Sequence, residues 1–266
     1  MTQTSLDTGS PPARHRVRAP GRPPSLLVTA GFEFALTTAM LFTVVTAARW
    51  MAGPGSPLAD LLAAPRARLV VMGLLVGAVV TAVLGPSMRR ETAGHLNPAV
   101  SIGLWLLRVF PGKAVLPFVV AQLAGSVCGV ALARLVWGDA AAAVGDAALA
   151  PGPGWGAAAV FLAEAGSMAL MMLVVAWFGT RPALLRRLPP VIGGCVAAVI
   201  VFLGPLSGGG ANPARQFGPA LVSGTTGLLW VYLLAPVAGS LLAGVADGSG
   251  DPVERGAAAL GGLGYL

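Results

Sequence analysis

Charge is scarce in this chain. Only 10% of the 266 residues are Asp, Glu, Lys or Arg, where a soluble domain of this size carries about 25%. Acidic residues are the rarer sign, 10 against 17 basic ones. Cysteine occurs twice, as Cys128 and Cys195, each inside an apolar run. That excludes a disulfide framework and any metal-ligand spacing. No nucleophile–base pair and no nucleotide-binding loop is present either, so neither an enzyme nor a cofactor is expected. What is abundant is hydrophobic residues, 56% of the chain, gathered in long runs. This places the chain in the membrane class. The basic excess lies between the apolar runs, so loop topology explains it better than nucleic acid does.

A bilayer core takes about 20 apolar residues as helix. Six stretches qualify: Leu26 to Ala48, Leu69 to Leu84, Ala114 to Val136, Ala157 to Phe178, Val191 to Leu206 and Leu228 to Ala246. The second and fifth are short. Two further apolar stretches, Pro98 to Val109 and Pro213 to Val222, are too short to cross. Each opens on proline, suited to the first helical position, after an asparagine suited to the N-cap. They read as half-helices. The first 24 residues are polar, Pro-rich and Arg-rich with no short apolar segment of their own. No cleavable signal peptide is expected, and residues 1–25 read as a disordered cytoplasmic tail. Residues 26–247 read as one membrane-embedded domain, and 248–266 as a C-terminal tail.

Six spans put both termini on one side. That side would hold twelve basic residues: Arg14, Arg16, Arg18, Arg22, Arg89, Arg90, Arg108, Lys113, Arg181, Arg186, Arg187 and Arg255. The other would hold five: Arg49, Arg66, Arg68, Arg134 and Arg215. The positive-inside rule makes the first side cytoplasmic. The expected location is the cell membrane, multi-pass.

The chain also repeats itself, at about 26–137 and 156–247. Each half has a span with an early glutamate (Glu33, Glu164), a second span, a Gly-x-x-Asn-Pro-Ala half-helix and a third span. Three spans per half make the repeats inverted. Broken segments at matching places in inverted halves mark a transport site. Backbone off the helical ladder at membrane depth must lie inside protein or along a water-filled cavity. The two turns are therefore expected to meet and line a pore. Rows of small residues, Gly125 with Gly129 and Ala235 with Gly239 and Ala243, allow close helix packing.

Two Asn-Pro-Ala boxes, Asn97-Pro98-Ala99 and Asn212-Pro213-Ala214, the second followed by Arg215, resemble the signature of the aquaporin and glycerol-facilitator family. The flanking text agrees: Gly94-His95-Leu96 before the first box, Gln216-Phe217-Gly218-Pro219 after Arg215, Ala121-Gln122 in the third span, and Pro236 with Gly239 in the sixth. The likeness covers about residues 26 to 247. It implies an all-α membrane channel of six transmembrane helices and two half-helices, passing water and small neutral solutes, usually as a homotetramer.

The resemblance also implies residue roles. Asn97 and Asn212 would donate N–H groups to passing oxygens, while the two helix N-termini repel cations. Arg215 would be the arginine of an outer selectivity filter, since a charge at this depth is a functional-site hypothesis by default. Glu33 and Glu164 would hold the non-helical loops. His95 would face the cytoplasmic vestibule. By offset from the boxes, the other three filter positions fall on Gly77, Ile200 and Gly209, with Val76 and Ala78 as neighbouring registers for the first. Strict water channels usually carry phenylalanine and histidine where Gly77 and Ile200 stand. Glycerol facilitators usually carry two aromatics and an aspartate where Gln216 stands. The chain fits neither pattern, and the expected pore is wide and apolar, passing water together with polyol- or metalloid-acid-sized solutes while excluding protons and ions. A water-selective pore is the alternative. A proton- or ion-coupled carrier is a third reading, since Glu33 and Glu164 could couple transport.

Overall fold

The computed structural model describes residues 24–90 and 94–247. The basic tail residues Arg14, Arg16, Arg18, Arg22 and Arg255 lie outside the described residues, as do residues 1–23 and 248–266 of the two tails. Within them the chain forms α1 (Leu26–Ala52), α2 (Pro57–Leu61), α3 (Pro65–Arg90), α4 (Pro98–Leu106), α5 (Gly112–Trp137), α6 (Asp139–Ala142), α7 (Ala157–Gly179), α8 (Leu188–Leu203), α9 (Pro213–Ser223) and α10 (Leu229–Asp247). Two 3₁₀ stretches, Gly145–Ala147 and Pro182–Arg187, complete the order.

The long helices α1, α3, α5 and α7 are each 23 to 27 residues. At 1.5 Å per residue each is long enough to cross a bilayer core of roughly 30 Å. Apolar residues surround them on all sides, as a membrane span requires. Leu27, Leu74, Leu116, Leu135, Leu162 and Leu170 are exposed on the bundle exterior, the face lipid would cover. Several boundaries differ from the sequence expectation: α1 runs on to Ala52, α3 to Arg90, and α4 stops at Leu106. The second span runs from Pro65 rather than Leu69, because polar Arg66 and Arg68 ride in its first turn beyond the apolar core. The fifth ends at Leu203 rather than Leu206, and gains length at its other end from the 3₁₀ stretch Pro182–Arg187.

The fold is two inverted halves. Helices α1, α3, α4 and α5 form one, and α7, α8, α9 and α10 the other. The packing repeats accordingly: α1 lies on α5, α7 lies on α10, and α3 meets its own counterpart α8 across the centre. Glycine permits the closest approaches. A Cβ on Gly125 would strike the Phe34 carbonyl, and one on Gly239 the Ala165 carbonyl. Phe34 and Ala165 follow Glu33 and Glu164, so these contacts set each glutamate's height. Half-helix α4 packs on α5 and α10, and α9 on the same two helices. Both half-helices thus enter the same cleft from opposite ends.

Candidate functional site: the meeting of two half-helices

The two N-caps are geometric copies. Asn97 has φ −153 and ψ 114; Asn212 has φ −155 and ψ 113. Each side-chain oxygen accepts the N–H of the following alanine, Ala99 or Ala214, at 2.9 Å. The residue before each cap, Leu96 or Ala211, has positive φ, 55 and 44. Non-glycine residues seldom adopt this conformation, and here it turns each backbone carbonyl across to the other loop. Asn97 Nδ2 donates to the Ala211 carbonyl at 2.9 Å, and Asn212 Nδ2 to the Leu96 carbonyl at 2.9 Å. The two turns are therefore stitched reciprocally. Each amide spends one N–H on the stitch. The second N–H of Asn97 has the Met168 sulfur at 4.0 Å, a weak acceptor.

The buried glutamates hold the loops ahead of the caps. Glu33 accepts the N–H groups of Gly94, His95 (2.7 Å) and Leu96 (2.9 Å), and the Gln122 amide at 2.7 Å. Glu164 accepts the N–H groups of Gly210 (3.0 Å) and Ala211 (2.5 Å), and the Ser207 hydroxyl at 2.7 Å. Backbone groups with no ladder partner at this depth need such acceptors. Two serines finish the support. Ser126 donates to the Ala214 carbonyl, and Ser240 to the Ala99 carbonyl at 2.8 Å. Sequence reasoning missed this pair, though a signal was present: Gly125-Ser126 and Gly239-Ser240 stand at matching places in the two halves.

A cavity of about 150 Å³ runs past the caps. Its walls include Val76, Val80, Leu84 and Ser87 of α3, and Leu188, Ile192, Val196, Val199 and Ile200 of α8. From Leu188 to Ile200 the rise along α8 is roughly 18 Å. Met40, Val44, Met171 and Val175 extend the apolar wall. The polar line opposite is Gly94, His95, Asn97, Gly209, Gly210, Asn212 and Arg215. His95 Nδ1 lies 2.9 Å from the Ser101 hydroxyl, and its ring packs against Phe110 and Phe118.

Three of the four expected filter residues, Ile200, Gly209 and Arg215, line one end of this cavity. Gly77 does not, which corrects the expectation. It lies in the α3–α8 contact, where a Cβ would meet the Gly193 carbonyl and the Ala197 side chain. Its neighbour Val76, 6% exposed, takes the pore-facing place. No motif fixes the rotation of α3, and one residue of slip turns a helix by about 100°. Gly209 lines the cavity by its backbone, with φ +66 and Val199 O 2.7 Å from where a Cβ would sit. Arg215 is anchored by Nη1 to the Ala147 carbonyl at 2.8 Å.

A family model for the major intrinsic proteins matches residues 32–246. The probable aquaporin AqpM of Archaeoglobus fulgidus is 37% identical over 183 residues, covering 65% of this chain and 72% of that protein. The aquaporin NIP2-1 of Zea mays is 30% identical over 240 residues, covering 90% of this chain and 76% of that protein. Among solved structures, the aquaglyceroporin from Plasmodium falciparum aligns with a TM-score of 0.68 at 21% identity, covering 86% of this chain and 99% of that one. Members of this family are channels, not enzymes. Twofold-repeated caps, a cavity running past both, and a match across nearly all of the described residues lead to one conclusion: the chain belongs to the major intrinsic protein family and is a multi-pass membrane channel of the aquaporin and aquaglyceroporin type.

Proposed function

We propose that this channel passes water together with small uncharged solutes of polyol or trihydroxy metalloid-acid size, and excludes protons and ions. The observation that carries this reading is the mixed lining of the cavity: the apolar side chains of α3 and α8 and the polar groups of His95, Asn97, Asn212 and Arg215 border the same space. A solute with hydroxyls on one edge and carbon on the other meets both kinds of surface there. The positive ends of α4 and α9 face each other at the Asn97 and Asn212 caps and repel cations. Two amide donors at one point orient a water so that it accepts from both and cannot relay a proton. Arg215 adds a fixed positive charge at the outer end.

The basic residues between spans support cytoplasmic termini in the cell membrane, and family habit supports a homotetramer with one pore per chain. A second reading, a water-selective pore, draws on Val76. Its branched side chain narrows the constriction where glycine was expected. Light scattering on proteoliposomes separates the two. Glycerol, urea and boric acid should all enter faster than in empty vesicles, and water faster still. Water permeation alone would favour the selective pore.

A further inference from the structure

We infer that Arg134 and Asp146 form a positioning pair that sets the outer filter by fixing where Arg215 rests; this rests on the reading of Arg215 as the filter arginine. Asp146 is fully buried, and Arg134 grips it with both Nε and Nη2, the Nε bond to Oδ1 being 2.8 Å. A planar fork against a carboxylate is the most directional of ion pairs. Among the described residues it is the one ion pair in the molecule.

Its place explains its use. Asp146 and Ala147 are consecutive non-glycine residues with positive φ, 52 and 60. Such backbone persists only where its surroundings over-determine it. The left-handed pair turns the Ala147 carbonyl to Arg215 Nη1, 2.8 Å away. From the other side Gln216, the residue after the filter arginine, takes the Leu149 N–H at 2.6 Å and gives its amide to the Leu149 carbonyl at 3.1 Å. The loop is thus clamped at Asp146 by α5 and at Leu149 by α9, and the carbonyl between these clamps holds the guanidinium against the wall. Released, that carbonyl would let Arg215 swing into the lumen and block the larger solute before it blocked water.

The test uses the full-length channel in proteoliposomes and reads the ratio of glycerol to water permeability. A merely structural role would lower both fluxes together and leave the ratio unchanged. Asp146→Asn and Arg134→Met should each lower the ratio by about tenfold, the order expected when one charge-assisted hydrogen bond no longer holds the guanidinium. Arg134→Lys, which keeps the charge but loses the fork, should fall between them and wild type. In an Arg215→Val background neither substitution should change the ratio further. An unchanged ratio in Asp146→Asn and Arg134→Met, with Arg215→Val shifting it, would overturn this inference and leave the filter reading standing. If Arg215→Val itself leaves the ratio as in wild type, the filter reading fails first.

Discussion

The two halves of the molecule share a scaffold and differ in what they place beside it. The caps, the serine ties and the glutamate brackets are common to both. Position three after the cap is not: it is Val100 in the first half and Arg215 in the second, and both line the cavity. The brackets differ too. Glu33 binds three backbone N–H groups and Gln122. Glu164 binds two backbone N–H groups and Ser207, whose carbonyl accepts from Tyr232 at 2.6 Å. Duplication thus fixes the axis of the cavity, while in the proposed reading selectivity comes from residues that broke the symmetry at one end.

The largest expected effect comes from removing a bracket. Glu33→Leu strands three backbone N–H groups at roughly 1–3 kcal/mol each, and should abolish monodisperse protein after detergent extraction. Glu164→Leu strands two, plus a hydroxyl that can rotate, and should leave a detectable but less heat-stable population. Gln at either site keeps an acceptor and should retain flux; equal losses for Gln and Leu would mean that charge, not loop support, is what matters.

Next comes the symmetry-breaking position. Arg215→Val makes its end of the cavity resemble the Val100 end and should admit small cations as well as glycerol, read as vesicle conductance. Val100→Arg performs the converse and should cut glycerol and water flux by tenfold or so, because a second guanidinium would enter an apolar stretch of the lumen. Equal conductance before and after Arg215→Val would show that the caps alone exclude ions.

A smaller effect separates Val76 from its neighbour. Val76→Phe should lower glycerol flux more than water flux with the fold intact. Gly77→Phe should instead lower extractable protein, since its side chain would enter the α3–α8 contact. The smallest effect is expected at the serine ties. Ser126→Ala should cost about 1 kcal/mol or slightly more, and Ser240→Ala less. Ser126 also accepts the Gly218 N–H at 2.8 Å, a bond its counterpart lacks. Thermal unfolding in one detergent would rank the two.

Much of the fold was legible because its signals are one-dimensional. Apolar runs mark α1, α5 and α7 within a few residues, and Asn-Pro marks the start of both half-helices. Gly209 and Arg215, which line the cavity, stand three residues before and after the Asn212 cap, and Ile200 in α8 was reached by its offset of twelve. Gly77 stands on a helix with no such anchor, so its face could not be read. The clamp around Arg215 was also invisible. Arg134 and Asp146 are 12 residues apart on either side of the turn at Gly138, and nothing in their spacing says that the loop folds back over the pore.

The central claim, a passive pore for neutral solutes with no proton path, is tested most directly by one vesicle preparation read two ways. Glycerol entry is followed by light scattering, and proton entry by a pH dye inside the same proteoliposomes, with and without an imposed pH gradient. The account predicts glycerol entry that rises linearly with its gradient, is indifferent to the pH gradient, and brings no proton flux above that of empty vesicles. Saturating glycerol uptake that runs uphill on the pH gradient, with protons entering alongside, would contradict it.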